Sequence, residues 1–169
     1  MALSSTLAVS AFTELSAASG LGTARVPAGL SRAVTLGSGT GAGKADKVYQ
    51  ARRTIAASGS EDLDLAGVLT DAFGATITFA KVKGLFVAAS AANSNNVVIG
   101  NASSNAWSTL LGATGTVTLR PGAVLAVAAG AADATTYAVT ASTGDLLKVA
   151  NSAGGSSVTY DICIVGTSV

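Results

Sequence analysis

The chain of 169 residues contains no histidine and a single cysteine, Cys163. Without histidine there is no Ser-His-Asp or Cys-His relay, no imidazole metal ligand and no usual proton shuttle near neutrality. With one cysteine, an intrachain disulfide cannot form and a tetrahedral Cys/His zinc site is excluded. The fold must hold by packing alone, which suits synthesis in a reducing cytoplasm. Charge is scarce too: Asp, Glu, Lys and Arg make up 11% of residues, against roughly 25% in an average domain. A free monomer with so few charges would be poorly solvated, so an assembly in which neighbours cover much of the surface is expected. The formal net charge of +1 offers no strong field for nucleic acid or an acidic membrane. Arg52-Arg53 alone does not supply the interleaved basic and aromatic residues of a nucleic-acid binder. No stretch approaches ~18 uninterrupted apolar residues, so no membrane span is expected. The opening MALSSTLAVSAFTELSAASG lacks a positive n-region, and Ser, Thr and Glu interrupt its apolar residues, so it is not read as a signal peptide.

What is present is a normal hydrophobic share, 49%, in a length that suits one domain plus an arm. The charges are uneven. Residues 1–54 hold six basic groups and two acids, and the rest hold four basic groups and seven acids. A solvated surface explains this, as does a head-to-tail contact between copies. Leu3, Leu7, Phe12 and Leu15 lie near helical spacing, which predicts a short helix or an extended arm over residues 1–20. Residues 20–46, rich in glycine, read as a linker with one short strand, Arg32 to Leu36.

From Lys47 the pattern is β. Strands are expected at Val48–Ala56, around Leu63 and Leu65, at Thr76–Phe79, with a bulge near Ala80, and at Gly84–Ala89. Others follow at Asn96–Gly100, Thr116–Arg120, Ala123–Ala128, Tyr137–Thr140, Leu146–Ala150 and from Val158, with a turn at Pro121-Gly122. Eight or so short strands indicate an all-β, jelly-roll-like sandwich over residues 47–169, preceded by an extended or partly helical arm and Gly-rich linker over residues 1–46. The immunoglobulin alternative lacks its Cys–Trp–Cys signature.

The chemical motifs are weak. GSGTGAGKAD, Gly37 to Asp46, resembles a phosphate loop, but a Walker motif needs glycine at Ser38 and a hydroxyl at Ala45. A dinucleotide fingerprint must open a helix, and Lys47 onward reads as a strand. A flexible connection is expected. Glu61, Asp62, Asp64 and Asp71 form an acidic cluster that fails the calcium-loop template, with Ala66 and Phe73 at ligand positions. If Leu63 and Leu65 face the core, Asp62 and Asp64 share the solvent face, solvated, lysine-paired or holding an ion between subunits. Two-carboxylate hydrolysis would usually add aromatic platforms, and aromatics are 5% of the chain. Trp107, in NASSNAWSTLLG, reads as a loop anchor or a sugar contact. No catalytic residue, cofactor or metal site is assigned.

Residues 36–168 nonetheless resemble small structural proteins of tailed-bacteriophage virions. The acid–leucine alternation at Glu61 to Leu65, the Asp71–Thr78 turn into a strand and the closing Val158 to Gly166 strand carry the resemblance. It implies a non-enzymatic jelly-roll virion component made in the host cytoplasm. The expected role is a capsid decoration (cement) protein, a homo-oligomer, most often a trimer, bound to the major capsid protein or another virion protein. A tail, collar or fibre part touching host glycans through Asn93–Asn96 or Asn101–Trp107 is the alternative, and a carbohydrate-binding module outside virions a third.

Overall fold

A computed structural model describes residues 2–169. It is all-β, with twelve strands in three sheets. The first two strands, β1 (Ser5–Ser19) and β2 (Gly22–Ser38), pair antiparallel over fifteen residues each, from Ser5↔Leu36 to Ser19↔Gly22. The tight turn at Gly20-Leu21 closes this hairpin. Residues 2–20 are thus not helical, and the linker expected over 20–46 is mostly a long strand rather than a short one at Arg32–Leu36. A period of two over Leu7, Val9, Ala11, Thr13 and Leu15 wins over the helical spacing, because β2 offers a continuous partner for it. The two-residue β3 (Lys44–Ala45) then pairs parallel with the end of β2.

The remaining nine strands build two sheets around one core. They are β4 (Lys47–Ile55), β5 (Ser60–Asp64), β6 (Lys81–Ala89), β7 (Val97–Gly100), β8 (Thr116–Leu119), β9 (Val124–Ala128), β10 (Tyr137–Ala138), β11 (Leu146–Asn151) and β12 (Val158–Thr167). One sheet runs β4-β12-β6, with β9 and β10 following one another along the free side of β6; the other runs β5-β11-β7-β8. Every ladder in these two sheets is antiparallel. Leu85, Val87, Tyr160, Ile162 and Ile164 from the first sheet meet Leu63, Val97, Ile99, Leu147 and Val149 from the second in one buried cluster. The architecture is therefore sandwich-like, as the period-two patterning requires: each strand turns an apolar face to the shared core.

Most sequence-expected strands appear within a residue or two. The turn at Pro121-Gly122 is present, with Ala123 N–H donating to Arg120 O at 2.8 Å and Gly122 at φ 79°. Thr76–Phe79 is not a ladder strand. Its side chains do alternate, Ile77 and Phe79 being buried, but only an isolated Thr70↔Thr76 bridge pairs it. The irregularity expected at Ala80 lies three residues on: Val165 pairs with Gly84 and Gly166 with Val82, so Lys83 is the extra residue.

Candidate docking surface

The bulge at Lys83 has a structural consequence. It turns a lysine inward, where it is 2% exposed. The ammonium donates to the carbonyls of Gly41, at 2.5 Å, and Lys44, at 2.7 Å. Burial lowers the Lys83 pKa, and neighbouring Lys81 adds to this, while Asp133 and Asp46 oppose it. The segment Gly37 to Asp46 is further closed by Gly37 N–H to Gly43 O and Gly39 N–H to Ala45 O. A phosphate loop aims amide N–H groups at its ligand. Here two carbonyls converge on a cation that the chain itself supplies. GSGTGAGKAD is thus an elbow that fixes where the hairpin leaves the sandwich. Asp46 braces the same corner by accepting from the Ser168 amide at 2.9 Å and its hydroxyl at 2.6 Å.

At its base the hairpin lies on the outer face of the β4-β12-β6-β9 sheet. Leu36, Ala45 and Val165 form a second buried cluster, with Leu3, Leu7, Val34, Val48 and Cys163 packed around it. Gly84 makes this approach possible: a Cβ there would collide with the Leu7 side chain. Beyond the base the hairpin stands away from the body, and exposure rises from 52% at Val9 to 75% at Leu15 and 105% at Leu21. The register divides it into two faces. Pairs Leu7/Val34, Ala11/Leu30, Thr13/Ala28, Leu15/Val26 and Ala17/Ala24 share one side, interrupted by the single charge of Arg32 opposite Val9. The other side carries Thr6/Thr35, Ser10/Ser31, Glu14 and Arg25, with Glu14 and Arg25 joined at 2.7 Å and the Phe12 ring lying over Gly29. An open cleft of about 360 Å³ between Leu7, Val9, Phe86, Ala126 and Cys163 marks where the apolar side parts from the sheet.

The other candidate residues are engaged in holding the fold. Glu61 accepts from Arg53 Nε at 2.6 Å and from its Nη2, and from the buried Tyr160 hydroxyl at 3.0 Å. The hydrogen bond to Glu61 holds the Arg53 pKa well above its usual value, and burial pushes the Tyr160 phenol up, with Glu61 adding to it. The register sets Lys148 opposite Asp62, on the face away from buried Leu63 and Leu65. Asp64 caps the Ala66 amide at 2.8 Å and Asp71 caps the amides of Phe73 and Ala75, both at 2.9 Å. Each acid of the cluster thus has a separate local task, and no group of three or more His, Cys, Asp or Glu gathers among the described residues. Trp107 is buried, donates from Nε1 to Ala138 O at 2.9 Å and meets Tyr137 edge-on at 6.4 Å. It is a loop anchor with no open face to stack on a sugar. Asn93 pairs with both backbone groups of Thr159, at 2.9 and 2.8 Å, while Asn95 donates to Ala153 O and Ser156 O, both at 3.0 Å. These asparagines stitch loops together. On the outer sheet face Arg52 holds Asp161 through two parallel bonds of 2.7 and 2.8 Å, which keeps the Asp161 carboxyl below its usual pKa. The long hairpin was the feature the residue spacing hid; its alternation over Leu7 to Leu15 was the signal that could have exposed it.

No family model, curated protein or solved structure matches the chain.

Proposed function

We propose that this chain is a virion structural protein that decorates a phage head, working by adhesion rather than by chemistry. The observation that carries the proposal is the fifteen-pair hairpin that projects from the sandwich with one apolar side bare. A two-stranded ribbon on its own is marginal in water. Such a length of it gains its stability from whatever it lies upon, so a partner surface is part of the design. The finer fold supports the same reading. Pairing is nested, β4 with β12, β5 with β11, β6 with β9 and β10, and β7 with β8. This nesting supports reading the body as a hairpin of strands rolled into two sheets, the jelly-roll arrangement common in capsid proteins and lectins. The low charge, scattered acids and absence of histidine fit a molecule that binds and does not turn over a substrate. In this reading copies associate, as a trimer, and span joints between capsomers, where each adds buried area against the pressure of packed DNA.

The test is to incubate the purified protein with decoration-free heads and count bound copies against the major capsid band. Hundreds per particle are expected. Replacing residues 10–31 by an Asn-Gly turn should leave the sandwich folded and sharply reduce attachment. A dozen copies or fewer would place the protein in a tail, collar or fibre, and binding to glycans but to no particle would remove it from the virion.

A further inference from the structure

We infer that the bare apolar side of the hairpin is built for a second copy of this chain, and that it lies on the outer face of that copy's β4-β12-β6-β9 sheet. The inference deepens the adhesion reading and rests on it only for the premise that the hairpin needs a partner. Three observations carry it.

The first is the contact already present within one molecule. Leu7 and Val34, at the base of the apolar side, pack with Val48, Cys163 and Val165 on that same sheet face, and Leu7 fills the space over Gly84. The two surfaces are thus compatible in shape and polarity where they already touch. Each runs on uncovered beyond this contact: Val9, Leu15, Val26 and Leu30 on the hairpin, at 52 to 75% exposure, and Phe86 and Val124 on the sheet, at 40 and 53%. Phe86 faces Ala126 and Cys163 across the ladders, which leaves a shallow apolar strip along β6 and β9, bordered on β4 and β12 by Gln50 and the Arg52–Asp161 pair.

The second is reach. The hairpin lifts off its own sheet at Val9 and leaves an open cleft over Phe86 and Ala126, so its residues beyond Val9 find no cover on their own sheet. Twelve residues of paired strand extend about 40 Å, enough to cross a neighbouring domain of this size.

The third is area. A ribbon about 40 Å long and two strands wide, about 10 Å, covers roughly 400 Å² and buries a like area beneath it. Two reciprocated hairpins give roughly 1,600 Å² in all, and a ring of three gives more, which is the range of stable specific interfaces. A single unreciprocated contact falls below it. Closure by mutual exchange or by a ring is therefore required, since an open chain of such head-to-tail contacts would grow into filaments.

The experiment uses the full chain alone, with mass read by light scattering across the micromolar range and folding checked by circular dichroism. The wild type is expected as a closed dimer or trimer. Leu30→Glu on the hairpin and Val124→Glu on the sheet each place a charge in the proposed contact, and each should weaken association at least about tenfold. Ser31→Glu adds the same charge to the opposite side of the hairpin and should leave the mass unchanged. A wild type that stays monomeric overturns the inference, as does an oligomer that survives both Leu30→Glu and Val124→Glu, or one that Ser31→Glu disrupts equally. Heads decorated by a monomeric wild type would sink this inference and leave the decoration reading standing. A closed oligomer that ignores heads would do the reverse.

Discussion

Replacing Lys83 with Met tests whether the elbow, rather than the strand pairing alone, holds the hairpin to the sandwich. Lys83 is 2% exposed, and its ammonium satisfies two carbonyls, at Gly41 and Lys44. A hydrogen bond to a charged group contributes roughly 1.5–3 kcal/mol, so the pair is worth about 3–6 kcal/mol before any offset. The offset is large, because burying an ammonium costs free energy that Met does not incur. The lowered pKa of Lys83 has burial as its main cause and points the same way. Gly41 and Lys44 are both exposed residues, so their carbonyls can return to water once the ammonium is gone, which limits the loss further. The expected net loss is about 2–3 kcal/mol, which at this chain length lowers Tm by about 5–10 °C. The damage should be local. Amides of Gly37 and Gly39, which bond to Gly43 O and Ala45 O, should exchange with solvent much faster, while amides of β11 and β12 keep their protection. A Tm unchanged within about 1 °C, with exchange at the elbow also unchanged, would refute the assignment of Lys83 as the anchor.

Two further outcomes follow from the ion pairs. Glu61→Ala removes the acceptor of both Arg53 and the buried Tyr160 hydroxyl; it should cost about 2–4 kcal/mol in urea unfolding, against about 1 kcal/mol for Tyr160→Phe, with the double variant well short of the sum. Asp161 and Asp133 both titrate below the usual carboxylate range, through Arg52 and through the Thr136 and Thr135 amides. Their folded forms bind protons less readily than their unfolded forms, so their stabilisation is complete above about pH 4 and lost as pH falls through the lowered folded values. Asp161→Asn should therefore show a shallower acid limb in a plot of Tm against pH, and an unchanged limb would count against the bidentate pair.

The sandwich was legible in the sequence and the hairpin was not, for one physical reason. Strands β4 to β12 each turn one face to the core, so burial writes a period of two and the turns between them carry Gly, Pro and Asn. In Val158, Tyr160, Ile162 and Ile164 this pattern survives without interruption, and all four side chains are buried. The hairpin buries almost nothing within its own chain, so its apolar residues answer to no internal core. Phe12, on the polar side over Gly29, breaks the alternation and creates the false helical spacing with Leu15. At Lys83 the sequence was half legible. The parity slip across Lys81-Val82-Lys83 pointed to a bulge near Ala80, and the extra residue is Lys83 itself, whose ammonium bonds two backbone carbonyls of the elbow. Neither carbonyl leaves a mark in side-chain chemistry. The acid cluster shows the same gap: Glu61, Asp62, Asp64 and Asp71 are neighbours in sequence, but the ladder and the turns send them to four different partners.

The same contrast bears on how the molecule works. Several polar side chains of this protein are spent on the fold: Asn93 and Asn95 on loop backbone, Trp107 on a carbonyl, Glu61 on a core tyrosine. The exposed large hydrophobics gather chiefly along the hairpin, with Phe86 and Val124 on the sheet beside it. An apolar contact is weakly directional and roughly proportional to area, so it suits partners held in register by repetition rather than by a few specific bonds. Directionality must then come from elsewhere. The elbow supplies it, because Lys83, Gly84 and Asp46 set the angle at which some 40 Å of ribbon leaves the body. A rotation of a few degrees there moves the hairpin tip by several ångströms, which would misplace every contact along it. That lever arm is the physical reason for committing a buried lysine, despite its desolvation, to two backbone oxygens of a glycine-rich segment.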